Sequence, residues 1–112
     1  MPPAQLSALS VLVFGGARTL GELAAAEQVR PPTMTRIVQA LERERLVRRE
    51  PDPDDGRVSR LRATEKGRRV MQRGRERRVA SLAALLGRLS RDEVARVREA
   101  AELVERALAQ EP

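Results

Sequence analysis

The chain has 112 residues, a single aromatic residue, no cysteine and no histidine, and its formal net charge is +6. The missing thiol and imidazole groups exclude disulfide frameworks, thiol redox sensing and the usual zinc or iron–sulfur sites. No grouping of nucleophile, base and orienting residue is legible, so we expect no enzyme, no cofactor and no metal. With no signal-peptide layout and no apolar run near the ~20 residues of a membrane span, we expect a soluble, cytoplasmic protein.

The positive charge lies in the middle of the chain. Residues 28–80 carry 16 basic and 8 acidic side chains, whereas residues 1–27 and residues 81–112 each have a net charge of −1. All basic residues but one are arginine, whose planar guanidinium suits phosphate and guanine recognition. A genome of high GC content would also favour arginine over lysine, but it would not concentrate the charge in one segment.

The first half of the chain predicts three helices. Residues 2–15 begin with two prolines and repeat apolar residues at helical spacing up to a glycine pair. Residues 19–22, Thr-Leu-Gly-Glu, form a capping box that opens a short second helix. After a break at residues 28–32, a third helix is predicted over about residues 32–44. Its apolar stripe consists of Met34, Ile37, Val38 and Leu41.

A β-hairpin with a polar tip is predicted next. Residues 46–49 form one strand, and residues 57–63 form the other. In the second strand, Ser59, Leu61 and Ala63 alternate with Val58, Arg60 and Arg62. Residues 51–56, Pro-Asp-Pro-Asp-Asp-Gly, are dense in turn formers.

Two more helices complete the predicted elements. Thr64 is the predicted N-cap of a long helix that, apart from Val70 and Met71, is polar on nearly every side up to residue 78, a pattern typical of solvent-exposed helices. Residues 90–93, Ser-Arg-Asp-Glu, form a second capping box that opens the last helix. The apolar stripes of these helices consist of Val79, Leu82, Leu85, Leu86 and Leu89, then Val94, Val97, Ala101, Val104 and Leu108. Their length favours dimerisation between chains over packing of the two helices on each other.

Three helices followed by a hairpin are the order of a winged helix-turn-helix, a mainly α (α+β) fold. With its apolar stripe inward, the third helix presents hydroxyl, guanidinium and amide groups that can bond phosphates and base edges. These predicted DNA-binding residues of the recognition helix are Thr33, Thr35, Arg36, Gln39 and Arg43. A solvated helix face would look the same, but the hairpin within the basic segment favours DNA binding. We therefore assign residues 1–64 to a DNA-binding region and residues 65–112 to a dimerisation region.

Three passages resemble the MarR family of bacterial winged-helix regulators. The first two are residues 19–24, Thr-Leu-Gly-Glu-Leu-Ala, and residues 31–49, which run from Pro-Pro-Thr-Met-Thr-Arg to Leu-Val-Arg-Arg. The third and most specific is residues 52–67, where an acidic tip, Asp-Pro-Asp-Asp-Gly-Arg, precedes Thr-Glu-Lys-Gly. The resemblance spans essentially the whole chain.

The resemblance assigns roles to individual residues of the wing. It implies that Arg57 enters the minor groove of DNA and that the carboxylate of Asp55 orients it. We add Arg60 to the predicted DNA-binding residues of the wing. Gly56 stands where many relatives have a second arginine, so we expect the wing to hold DNA less tightly.

The resemblance also implies a helix ahead of the segment that starts at Pro3, for which this sequence has no room. We therefore expect the dimer to depend on residues 79–108. The expected function is sequence-specific transcription regulation, as a homodimeric repressor of a pseudo-palindromic operator in double-stranded DNA, with a small-molecule effector left unidentified. Two alternatives remain: a PadR-like winged-helix regulator, and a protein-interaction module that pairs with a full-length relative without reading DNA.

Overall fold

The computed structural model describes residues 1–110, which form a mainly α winged helix-turn-helix, as predicted. The helices are α1 (Pro3–Gly15), α2 (Leu20–Ala26), α3 (Pro31–Arg43), α4 (Glu65–Leu86) and α5 (Arg91–Ala109). The strands of the antiparallel sheet are β1 (Arg18–Thr19), β2 (Val47–Pro51) and β3 (Ser59–Ala63). None of the helices in the described part of the chain is long and apolar enough to cross a membrane.

The starts of two helices follow from local side-chain chemistry. At α2, the Thr19 hydroxyl accepts the N–H of Glu22 at 3.1 Å, and the Glu22 carboxylate accepts the N–H of Thr19 at 3.3 Å. At α5, Ser90 and Glu93 make the same reciprocal pair at 3.2 and 2.9 Å. Each box supplies partners for N–H groups that a helix start would otherwise leave without one. Both predicted capping boxes are therefore confirmed.

The sheet contains one strand that the sequence does not predict. β1 has only two residues, and it pairs Arg18 with Leu61 and Thr19 with Arg60. β3 lies between β1 and β2. Two residues carry no readable periodicity, and their partners lie some forty positions away, so this strand forms only through tertiary contact. It connects the start of α2 to the inner strand of the wing.

The turn of the wing lies two residues later in the chain than the sequence predicts. The first strand is expected to end at residue 49, but β2 ends at Pro51. The second strand is expected from residue 57, but β3 begins at Ser59. The reason is that Val58 donates its N–H to the Asp55 carbonyl at 3.0 Å, and its own carbonyl accepts the N–H of Asp52 at 2.8 Å. These bonds place Arg57 and Val58 in the turn.

One hydrophobic core joins α1, α2, α3, the sheet and the beginning of α4. Its largest fully buried side chains are Leu9, Leu23, Met34, Leu41, Leu46, Leu61 and Val38. The chain divides by its contacts into two compact units, residues 1–74 and the residues from Arg75 onward. In the second unit, no residue of α5 is buried.

The division falls within α4 because the first turns of this helix contribute to the core. Gly67 and Met71 are buried and Val70 is partly buried, whereas most of the other residues between 65 and 78 are exposed, as the polarity of this stretch predicts. The assignment of DNA binding to residues 1–64 and dimerisation to residues 65–112 stays a prediction. Residues 111 and 112 lie outside the described residues.

Gly67 stands where α4 passes closest to the rest of the core. A Cβ at this position would clash with the carbonyl oxygen of Leu46 and lie 3.2 Å from Cδ1 of Leu9. We expect Gly67→Ala to lower the free energy of unfolding by about 1–3 kcal/mol, because the backbone must shift to admit the methyl group. Helix propensity alone would change stability in the opposite direction, by about 1 kcal/mol.

Gly21→Ala in α2 is the matched control, because a Cβ there meets nothing within 4 Å. We expect this variant to be neutral or slightly stabilised. Urea denaturation of both variants measures the difference, and a Gly67→Ala protein as stable as the wild type would contradict the close approach.

Candidate nucleic-acid interface

The orientation of α3 is set by its apolar stripe. Met34, Val38 and Leu41 are fully buried, and Ile37 is partly buried. These positions share one face of an α-helix, so the residues between them on the opposite face lie in solvent. The helix therefore cannot rotate about its axis without withdrawing apolar side chains from the core.

Four of the five predicted recognition-helix residues lie on this exposed face: Thr33, Arg36, Gln39 and Arg43. Thr35 lies at its flank, where it is half-buried and donates its hydroxyl to the Pro31 carbonyl at 3.0 Å. Among residues 1–110, the two exposed arginines of α3 form no salt bridge. Their guanidinium donors can therefore bind phosphate oxygens or the acceptor edge of guanine.

The carboxylate of Asp52 accepts the hydrogen bonds that hold the turn of the wing together. Its side chain is only 9% exposed, and its Oδ1 accepts the N–H groups of Asp54 at 2.8 Å and Asp55 at 3.1 Å. Its Oδ2 accepts the Arg60 Nε–H at 2.5 Å. The Arg60 guanidinium, followed by the two backbone N–H groups, holds the pKa of Asp52 below its ordinary value, so the carboxylate is ionised at neutral pH.

The sequence identifies Asp52 as a turn former, but it does not reveal the ion pair with Arg60, eight positions further on. An Asp followed by a turn is a sufficient signal for the bonds to the N–H groups of Asp54 and Asp55. The pairing with Arg60 depends on the register of the hairpin, which brings the two ends of the turn together.

The structure places the three predicted wing residues in two different surroundings. Arg57 is at the tip with 91% of its side chain exposed, and its Nε lies 3.3 Å from Oδ1 of Asp55. The same oxygen accepts the backbone N–H of Arg57 at 3.1 Å. Arg60 instead pairs with Asp52 and is 33% exposed. Arg57 is thus the wing cation that projects into solvent, whereas Arg60 holds the turn together.

Neighbouring carboxylates partly neutralise the other arginines of the hairpin. Glu50 accepts from Arg62 at 2.6 Å and lies 3.6 Å from Arg48. Glu42 accepts from Arg49 at 3.2 Å. Between α3 and the hairpin, Arg36 and Arg43 of α3 are therefore without a salt bridge among the described residues, whereas the arginines of the strands share carboxylates. Within residues 1–110, no group of three or more acidic side chains could hold a metal ion.

The apolar stripes of the second unit remain open to solvent in the single chain. The exposed members of the predicted dimerisation set, between 37% and 60% accessible, are Val79, Leu82, Leu85, Leu89, Val97, Val104 and Leu108. Ala101 is also exposed, whereas Leu86 and Val94 are half-buried. Leu103, which is 58% exposed, widens the apolar surface of α5 and falls outside the spacing that identifies the others.

Comparisons with known proteins agree with this geometry. A sequence profile of the MarR family matches residues 1–58. An HTH-type transcriptional regulator of Mycobacterium tuberculosis is 42% identical over 100 residues, which cover 89% of this chain and 70% of the relative. A MarR family protein of Bacillus stearothermophilus has a TM-score of 0.83 at 30% identity, with 98% of this chain and 76% of that chain covered.

The fold is also shared with a MepR variant of Staphylococcus aureus bound to an oligodeoxyribonucleotide. The TM-score is 0.75 at 22% identity, with 96% of this chain and 80% of that chain covered. Neither the PadR-like alternative nor the interaction module that does not read DNA is favoured by these matches. The chain belongs to the MarR family of DNA-binding transcription regulators.

Proposed function

We propose that this chain is a sequence-specific repressor that binds a pseudo-palindromic operator in double-stranded DNA as a homodimer. The observation that carries the proposal is the exposed face of α3, where Arg36 and Arg43 have no carboxylate partner within the described part of the chain, while the opposite face is fixed in the core. The bound oligodeoxyribonucleotide of MepR, a protein of the same fold, supports DNA as the partner. Repression requires no activity beyond occupancy, because a bound protein excludes polymerase from the operator.

In this proposal, α3 and the wing contact different grooves of the DNA. α3 enters the major groove, where arginine can bind guanine through two hydrogen bonds and where amide and hydroxyl groups bind bases or phosphates. Its contact residues are Thr33, Thr35, Arg36, Gln39 and Arg43. Arg57 reaches the minor groove from the wing tip, with Asp55 directing its guanidinium. Arg60 contributes by maintaining the turn that presents Arg57.

The homodimer is supported by the exposed stripes of α4 and α5. Contiguous apolar surface of this kind is normally covered by another protein surface. A two-fold axis through these helices would present two α3 helices to DNA, and successive major grooves on one side of the duplex are about 34 Å apart. The interface residues are Val79, Leu82, Leu85, Leu86, Leu89, Val94, Val97, Ala101, Val104 and Leu108.

Arg36→Ala tests the role of α3 in sequence recognition. If Arg36 binds a base edge, the variant loses about 1–3 kcal/mol of binding free energy on a duplex selected by the wild type from a random-sequence pool, and its sequence preference relaxes. Arg73→Ala on α4 is the control, since it removes the same charge outside both proposed DNA-contacting elements. Fluorescence anisotropy on selected and scrambled duplexes measures both effects. An equal loss on both duplexes would assign Arg36 to a phosphate contact instead.

Leu82→Asp tests the dimer. Leu82 is 56% exposed in the single chain, so we expect the substitution to dissociate the dimer into folded monomers rather than to unfold the protein. Ala84→Asp, at an exposed position on the other side of α4, adds the same charge and should leave the dimer intact. Sedimentation equilibrium gives the masses, and a well-folded wild-type monomer at high concentration would contradict the proposal.

A further inference from the structure

Three consecutive carbonyl groups at the end of α3 accept hydrogen bonds from the segment that opens α4. The carbonyl of Glu44 accepts from Nζ of Lys66 at 2.9 Å, and that of Arg45 accepts from the Thr64 hydroxyl at 2.6 Å. The carbonyl of Leu46 accepts the backbone N–H of Thr64 at 3.0 Å. We refer to residues 44–46 as the exit turn of α3.

The exit turn has a backbone conformation that needs such support. Arg45 has a φ of 60°, in the left-handed region that residues with a side chain rarely adopt. The N–H groups of Arg45 and Leu46 return to α3, to the carbonyls of Glu42 at 2.9 Å and Leu41 at 3.0 Å. The exit turn is therefore continuous with the last turn of α3, and its three carbonyls point outward to partners from α4.

The start of α4 is built to reach these carbonyls. The Thr64 hydroxyl, which donates to the exit turn, also accepts the N–H of Gly67 at 3.1 Å and so caps α4. Gly67 itself leaves room for the Leu46 carbonyl, which a Cβ would obstruct. Lys66 is the only lysine in the chain, and its long flexible stem reaches over to the exit turn. Three residues of the Thr-Glu-Lys-Gly passage, Thr64, Lys66 and Gly67, therefore all support contact between α4 and the exit turn.

We propose that Thr64, Lys66 and Gly67 are positioning residues for DNA reading, because they fix the C-terminal end of α3 relative to the core. The inference rests on the proposed DNA-binding role of α3. Binding groups must be held within about 0.5 Å of their productive positions, and Arg43 immediately precedes the exit turn. Loss of a carbonyl partner lets this end of α3 shift, which weakens directional base contacts more than undirected attraction to phosphates.

Lys66→Met tests the proposal, because Lys66 is exposed and its loss should leave the chain folded. The probes are a duplex selected by the wild type from a random-sequence pool and a scrambled duplex of equal length. We expect affinity for the selected duplex to fall by about threefold to tenfold, which corresponds to about 0.7–1.4 kcal/mol, the net value of a typical intramolecular hydrogen bond. Affinity for the scrambled duplex and the salt dependence of binding should stay unchanged.

Two further variants separate positioning from charge. Lys66→Arg keeps a cationic donor within reach of the Glu44 carbonyl and should restore most of the sequence preference. Arg73→Met removes one exposed positive charge from the same helix and should leave the ratio of the two affinities at the wild-type value. Melting curves of all three variants show whether a changed affinity accompanies a loss of folded protein.

The remaining outcomes would overturn the proposal. An equal loss of affinity for both duplexes, together with a slope of log affinity against log salt concentration that is smaller by about one unit, would make Lys66 a direct phosphate ligand. If Lys66→Met leaves the ratio of the affinities for the selected and scrambled duplexes unchanged, the bond from Lys66 to the exit turn does not contribute to sequence recognition. A wild-type protein that binds both duplexes equally would instead contradict the proposed function, so the two failures are distinguishable.

Discussion

The burial of three side chains of α3 determines what the rest of this unit can do. Met34, Val38 and Leu41 are fully excluded from solvent, and burial of each side chain of this size contributes about 1.5–3 kcal/mol. Rotation of α3 by one residue would withdraw this surface from the core, and in one direction it would put the Glu42 carboxylate in the place of Leu41, which costs several kcal/mol more. The polar face of α3 is therefore held outward by the packing of the opposite face.

The distribution of carboxylates determines which arginines remain available. Charge alone would make the whole middle of the chain a DNA-binding surface, but Asp52 engages Arg60 and Glu50 engages Arg62. Arg57 contacts Asp55 but keeps 91% of its side chain exposed at the wing tip. The hairpin arginines thus maintain the shape of the wing, while fewer cations face a partner.

The elements that depend on local chemistry could be predicted, whereas those that depend on distant partners could not. The capping boxes at Thr19 and Ser90 are readable because donor and acceptor lie three residues apart. β1 and the Asp52–Arg60 ion pair require strands to be brought into register first. The exposed face of α3 follows from periodicity, but the half-buried flank position of Thr35 does not. The DNA-contacting roles assigned to these residues stay predictions.

We propose that α3 and the wing tip contact DNA through their exposed side chains. Amide chemical shifts of the isotope-labelled protein, recorded while the selected duplex is added, test it residue by residue. We expect the largest changes along the exposed positions of α3 and at residues 54–58, and small changes along the apolar stripe of α5. Changes confined to α4 and α5, with the amides of α3 unmoved, would contradict it.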